Sequence, residues 1–146
     1  KGKLVKSQGD GGLKMVNKSK NIDLRLNGPH SIREIGEEYW IFSSGEQKIK
    51  TYDRSWKFVD EIETLGWGRG GHYSSKNGIF YAGISPIRRR YAGIVKASQT
   101  RVPVLEYIDV EERKSIGSIE IPNIEQINNI YSIPSRVIIG LNKIQL

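Results

Sequence analysis

The chain is predicted to be all-β, and three observations predict it: the balance of residue types, the placing of glycines, and a recurring pattern of short apolar runs. Isoleucine, valine, tyrosine, phenylalanine and tryptophan number 21, 8, 7, 3 and 3, against 3 alanines, 8 leucines and 1 methionine. β-Branched and aromatic side chains suit a pleated surface, whereas the straight-chain helix formers are scarce. Sixteen glycines fall between the apolar runs, where a chain that reverses often needs residues able to take positive φ.

The first recognisable pair of strands is Leu13 to Asn17 followed by Ile22 to Leu26. Next comes the window His30 to Ser44, which reads as a short strand, a turn at Gly36, and an apolar strand Trp40-Ile41-Phe42. Windows Gly71 to Ser85, with a turn at Asn77-Gly78, and Asn128 to Asn142, with a turn at Pro134-Ser135, have the same shape. Their second halves are apolar at consecutive positions, as strands between two packed sheets are. A second pair follows each of the first two windows: Ile49 to Asp53 then Phe58 to Glu63, and Leu105 to Asp109 then Ile116 to Ile121. An aspartate closes each third strand, where its carboxylate can accept from backbone N–H groups two residues on.

The units therefore have four strands. Read in order, the chain carries the second to fourth strands over residues 3 to 26, a full unit to Glu63, another to Ile121, then a first and second strand. Unit starts lie 41 and 57 residues apart, the longer interval reflecting an insertion at 86–101. Four short strands repeating at this period predict a β-propeller rather than a sandwich. About three four-stranded blades are present, too few to close, so the expectation is part of a six-bladed ring completed by more of the same protein or by partner chains, a homo-oligomer among them. Lys1 in place of methionine favours the former.

The motifs Pro29-His30-Ser31-Ile32-Arg33, Gly66-Trp67-Gly68-Arg69-Gly70, Gly83-Ile84-Ser85 with Arg88, Tyr107-Ile108-Asp109 and Glu125 to Ile130 follow one another in this order. Together, over about residues 28 to 133, they resemble an uncharacterised bacterial family of predicted β-propellers with segments of Pro-His-Ser-Pro-Arg, Phe-Thr-Arg-Gly-Leu, Val-Gly-Leu-Ser and Glu-Ile-Phe-Asp type. The resemblance implies the same propeller architecture. The chain departs from the pattern at Ile32, Gly71 and Asn129, and an asparagine at the last position weakens a metal or acid–base role there.

Candidate site residues cluster at the starts of first strands. His30 and His72, the only histidines, are expected at the channel mouth with Arg33, Arg69 and Trp67. Two imidazoles and a guanidinium can hold an anion or move a proton near neutral pH, and an indole can stack on a sugar ring. The alternative is that they bond and pack the loops between blades. Gly66 to Gly71 satisfies G-x-G-x-x-G, but no helix follows to receive a pyrophosphate, so the dinucleotide reading is rejected. Those glycines instead let the crossover run close against a neighbouring sheet.

The net charge of +7 comes from 23 basic and 16 acidic residues and is uneven: residues 1–20 sum to +5, residues 86–101 to +5, and the rest to −3. In the insertion, Arg88-Arg89-Arg90-Tyr91 offers guanidinium forks for phosphate, sulfate or uronate, against the alternative of a solvated loop. Nucleic acid is set aside, because no recognition helix is predicted and the aromatics fall inside strands. With no cysteine, a disulfide scaffold and cysteine-ligated metal are excluded, and no metal or cofactor is called for. The longest apolar run, Ile79 to Ile84, is broken by Gly83 and is far short of the roughly 20 residues that span a bilayer. Compartment stays open, with the cytoplasm as the default.

Among the acids, Glu37-Glu38 and Glu111-Glu112 are placed in exposed turns. G-x-S-x-G, H-E-x-x-H and the phosphate-loop signature are absent. The sequence therefore supports a binding or scaffold propeller whose channel mouth takes an anionic small molecule or glycan. The alternative is a channel-centred lyase or hydrolase of carbohydrate, with His30 or His72 as base and Arg33 or Arg69 neutralising the substrate.

Overall fold

The computed structural model describes residues 11–15, 20–87 and 100–133. Ten strands follow in chain order: β1 (Gly11–Met15), β2 (Lys20–Leu26), β3 (Pro29–Ile35), β4 (Glu38–Ser43), β5 (Lys48–Asp53), β6 (Phe58–Glu63), β7 (Trp67–Ser74), β8 (Ile79–Ser85), β9 (Val104–Asp109) and β10 (Lys114–Glu120). They form a β1–β2 hairpin and two four-stranded sheets, β3-β4-β5-β6 and β7-β8-β9-β10. Every paired neighbour is antiparallel. The described residues hold no helix beyond the 3-10 turn Ser44–Glu46, and none long and apolar enough to cross a membrane.

Local chemistry explains the reversals. Gly36 at φ 58° and Gly78 at φ 71° occupy the tight turns of β3–β4 and β7–β8, where a side chain would be strained. The two aspartates act as anticipated. Asp53 Oδ1 accepts from the amides of Ser55 at 2.8 Å and Lys57 at 2.9 Å, and Asp109 Oδ1 from those of Glu111 and Glu112, both at 2.9 Å. Each carboxylate thus holds the turn into the fourth strand of its sheet.

Side-chain alternation divides β4 between two interfaces. Ile41 joins Leu24, Leu26 and Tyr52 against the N-terminal hairpin. Trp40 and Phe42 point the other way, into a core shared with Phe80, Ala82, Ile84, Val104 and Ile108 of the second sheet. The Phe80 ring lies 5.4 Å from Trp40 and 6.0 Å from Phe42. That two-sided burial is why β4 reads as apolar at consecutive positions.

The two sheets also approach along their first strands. A Cβ on Gly68 of β7 would overlap the Phe42 ring, so the glycine is required for this spacing. Arg33 of β3 donates from Nε to the Gly71 carbonyl of β7 at 2.6 Å. Away from the first strands, Arg113 in the β9–β10 turn donates to Glu38 of β4 at 2.6 Å and to Thr51 Oγ1 of β5 at 3.1 Å. Glu38 is accordingly half-buried and engaged, unlike the free turn residue anticipated, while Glu37 remains exposed.

The window from Asn128 departs from expectation. Residues 121–133 carry no strand, and Asn128 and Asn129 accept through their side-chain oxygens from Arg69 and Arg33. The start of the strands expected over residues 3 to 26, most of the 86–101 insertion, and residues 134 to 142 lie outside the described residues.

Candidate functional site

The first strands of both sheets carry a β-bulge near their start. Pairing slips between His30 and Ile32 in β3 and between Gly68 and Gly70 in β7, leaving Ser31 and Arg69 outside the ladder. Ser31 takes φ 45°. Bulges bend a strand and re-aim its side chains, which is how Arg69 comes to lie beside His30 rather than in a sheet face.

His30 is built into this junction. Its Nδ1 lies 2.9 Å from the Gly28 carbonyl and 3.1 Å from Ser44 Oγ. A carbonyl only accepts, so the network assigns the proton to Nδ1. Ser44 Oγ in turn donates to the Gly68 carbonyl across the interface. Trp67 packs edge-on to the imidazole at 5.8 Å between centroids and is buried. Burial holds the His30 pKa below the ordinary histidine value, the Arg69 guanidinium lowers it further, and the Gly28 bond opposes both.

Arg33 has three neutral acceptors: Gly71 O at 2.6 Å, Ile32 O at 2.9 Å and Asn129 Oδ1 at 2.9 Å. The ion pairs among the described residues join other side chains and leave its charge uncompensated by a carboxylate. Arg69 donates to Asn128 Oδ1 at 3.1 Å. Two neighbouring asparagines therefore engage the two arginines, Asn129 accepting from Arg33 and Asn128 from Arg69.

The same segment covers the far face of the second sheet. Ser85 Oγ accepts from the Ile127 amide at 2.9 Å and donates to its carbonyl at 3.4 Å. A Cβ on Gly83 would overlap Ile127, and one on Gly70 would overlap the Asn129 backbone. Gln126 to Asn129 thus lies against the second sheet much as the start of β7 lies against the first.

His72 stands elsewhere. It pairs with Tyr81 and lines a separate cavity of about 260 Å³ with Ser74, Tyr81, Ile130, Tyr131 and Ser132. Five residues along β7 from Trp67 correspond to roughly 15 Å. The register gives the reason. His30 pairs with Phe42, two residues before Ser44, whereas Tyr81, the partner of His72, lies four before Ser85. The structure thus brings together His30, Trp67 and Arg69; Arg33 joins Arg69 through the neighbouring Asn129 and Asn128 and bonds the carbonyl of Gly71 beside His72, whose own ring lines the separate cavity; Arg88, Arg89 and Arg90 lie outside the described residues.

One buried acid escaped the sequence reading. Glu106 in β9 is 0% exposed; its Oε2 accepts from the Leu65 amide at 3.0 Å, while Oε1 has no hydrogen-bond partner. Burial raises its pKa, against the opposing pull of the Leu65 and Ser115 bonds. The signal was alternation: Val104, Glu106 and Ile108 share the buried parity of their strand. Compared with known proteins, the chain matches no family model and no curated entry.

Proposed function

We propose that the chain is about three blades of a six-bladed β-propeller, and that the mouth formed by His30, Arg33, Trp67 and Arg69 binds an anionic ligand, with acidic or sulfated glycans as the favoured class. The architecture is supported by two four-stranded sheets stacked face to face with their first strands adjacent, and by Gln126 to Asn129 taking a similar place on the next face. The resemblance in motif order points the same way. The observation that carries the ligand reading is the Arg33 guanidinium, held by neutral acceptors alone, with Arg69 engaged by the adjacent asparagine and acting on the partly buried imidazole of His30. Placement of Arg88, Arg89 and Arg90 on the rim belongs to the same proposal.

Titration with sulfated and uronate oligosaccharides tests it. Arg69→Ala removes a charge-assisted contact worth roughly 1.5–3 kcal/mol, about one to two decades of affinity, and added salt weakens binding to the wild type. Equal affinity in wild type, Arg69→Ala and His30→Ala moves the site elsewhere. Catalysis is the second reading, favoured by His30: a lowered pKa and a proton fixed on Nδ1 suit a neutral base. Product formation in the same titration, lost in His30→Ala, selects the lyase or hydrolase alternative.

A further inference from the structure

We propose that the cavity at His72 is a second binding site, which takes an anionic oxygen group of a sugar, a carboxylate or a sulfate ester, on two phenol hydroxyls set to donate; the class of ligand rests on the glycan reading above, the site does not. The cavity, of about 260 Å³, has Tyr81 and Tyr131 in its wall. Each phenol oxygen already accepts from an asparagine: Asn77 Nδ2 donates to Tyr81 Oη at 2.8 Å, and Asn129 Nδ2 donates to Tyr131 Oη.

Neither amide can be turned round. Asn77 Oδ1 accepts from the Ile79 amide at 3.2 Å, and Asn129 Oδ1 accepts from Arg33 Nη2 at 2.9 Å and from the Ile130 amide at 3.0 Å. Guanidinium and backbone N–H groups only donate, so the side-chain NH2 groups must face the phenols. A hydroxyl that accepts in this way keeps its own proton for another partner. Among the described residues neither phenol proton has one.

The chain through Asn129 begins at a charge. Arg33 donates to the amide oxygen, the amide nitrogen donates to the Tyr131 phenol, and the phenol is left to donate outward. Aligned in one direction, such bonds polarise one another, and the terminal donor is then best matched by an ionised acceptor. The remaining wall suits a sugar. Tyr131 is 73% exposed and offers a ring face to a pyranose. Tyr81 is steadied edge-on by Tyr107 at 5.6 Å between centroids, and His72 and Ser74 add polar groups.

His30 and His72 are the only histidines, one in each site, so imidazole NMR signals, assigned with His72→Gln, read the two sites separately. Methyl glucuronide and glucose 6-sulfate are expected to shift the His72 signals of the wild type, and the neutral methyl glucoside to do so at least about tenfold more weakly. Tyr81→Phe and Tyr131→Phe keep the rings and remove one donor each; each should weaken the binding read at His72 about tenfold, with circular dichroism showing the fold retained. His72 signals unmoved by both anionic sugars overturn the proposal, and the mouth stands without it if His30 moves in that titration. His72 moving while His30 does not supports the cavity and sinks the mouth. Equal affinity for the neutral glucoside, or unchanged affinity in both phenylalanine variants, overturns the assignment of the phenols as anion donors.

Discussion

The two faces of the second sheet solve one packing problem with opposite choices of residue. On the face turned to the first sheet, bulk comes from β4 and room from β7: the Phe42 ring fills the space left by Gly68. On the other face the room is in the sheet and the bulk arrives from outside, since Gly83 faces Ile127. A serine hydroxyl bonds the incoming backbone in both, Ser44 to Gly68 and Ser85 to Ile127. What repeats is therefore the summed volume and the polar contact, not the residue at either position. The first interface is closed by one large core drawn from both sheets, whereas the second rests on a segment without strand pairing, so the same substitution should cost more at the first.

The largest expected effect is in the bulky partners. Phe42→Ala should destabilise by about 3–5 kcal/mol and Ile127→Ala by about 2–3 kcal/mol in urea unfolding. Equal losses would show that Gln126 to Asn129 is as firmly integrated as β7. Next are the glycines. Gly68→Ala drives a Cβ into the Phe42 ring and should cost about 3 kcal/mol; Gly83→Ala meets Cγ2 and Cβ of Ile127, whose segment has no strand pairing to hold it in place, and should cost about 1 kcal/mol. A reversed order would break the comparison.

Smaller effects sharpen it. Ser44→Ala and Ser85→Ala should each cost about 1 kcal/mol, and only Ser44→Ala should also move the imidazole resonances of His30, read by NMR, because only that hydroxyl touches the ring. Smallest is a pH slope. The folded chain raises the pKa of Glu106, so it holds that proton more tightly than the unfolded chain does. The resulting stability is present below the ordinary glutamate value and is lost as pH rises through the folded value. Melting temperatures of Glu106→Gln measured from pH 4 to pH 8 should lack this decline, and an unchanged slope would show that another group causes it.

The sequence disclosed what depends on neighbours along the chain. Asp53 and Asp109 mark turns because a carboxylate reaches amides two to four residues away, and Trp40-Ile41-Phe42 reveals a strand buried on both faces because alternation is a local property. His72 was legible as a first-strand residue but not in its level, since that level follows from register and bulge placement across the sheet. Glu106 was within reach of alternation, yet a glutamate in an apolar strand reads as surface unless parity is followed. Asn128 and Asn129 were beyond reach, because their partners are arginines 59 and 96 residues away.

The exchange of bulk between Phe42 and Gly68 has a further consequence for how the chain assembles. A protein made of similar sheets risks docking them out of sequence, each onto a face meant for another. Here the contact surfaces act as address labels. Phe42 accepts only a neighbour that offers a glycine, so the segment bearing Ile127 would clash if it reached that face before β7, and β7, bringing Gly68 to Gly83, would leave an unfilled hole in the other. Mis-stacked intermediates would be either overfilled or hollow, and both defects disfavour them. The order in which the sheets come together is thereby written into the sizes of four side chains.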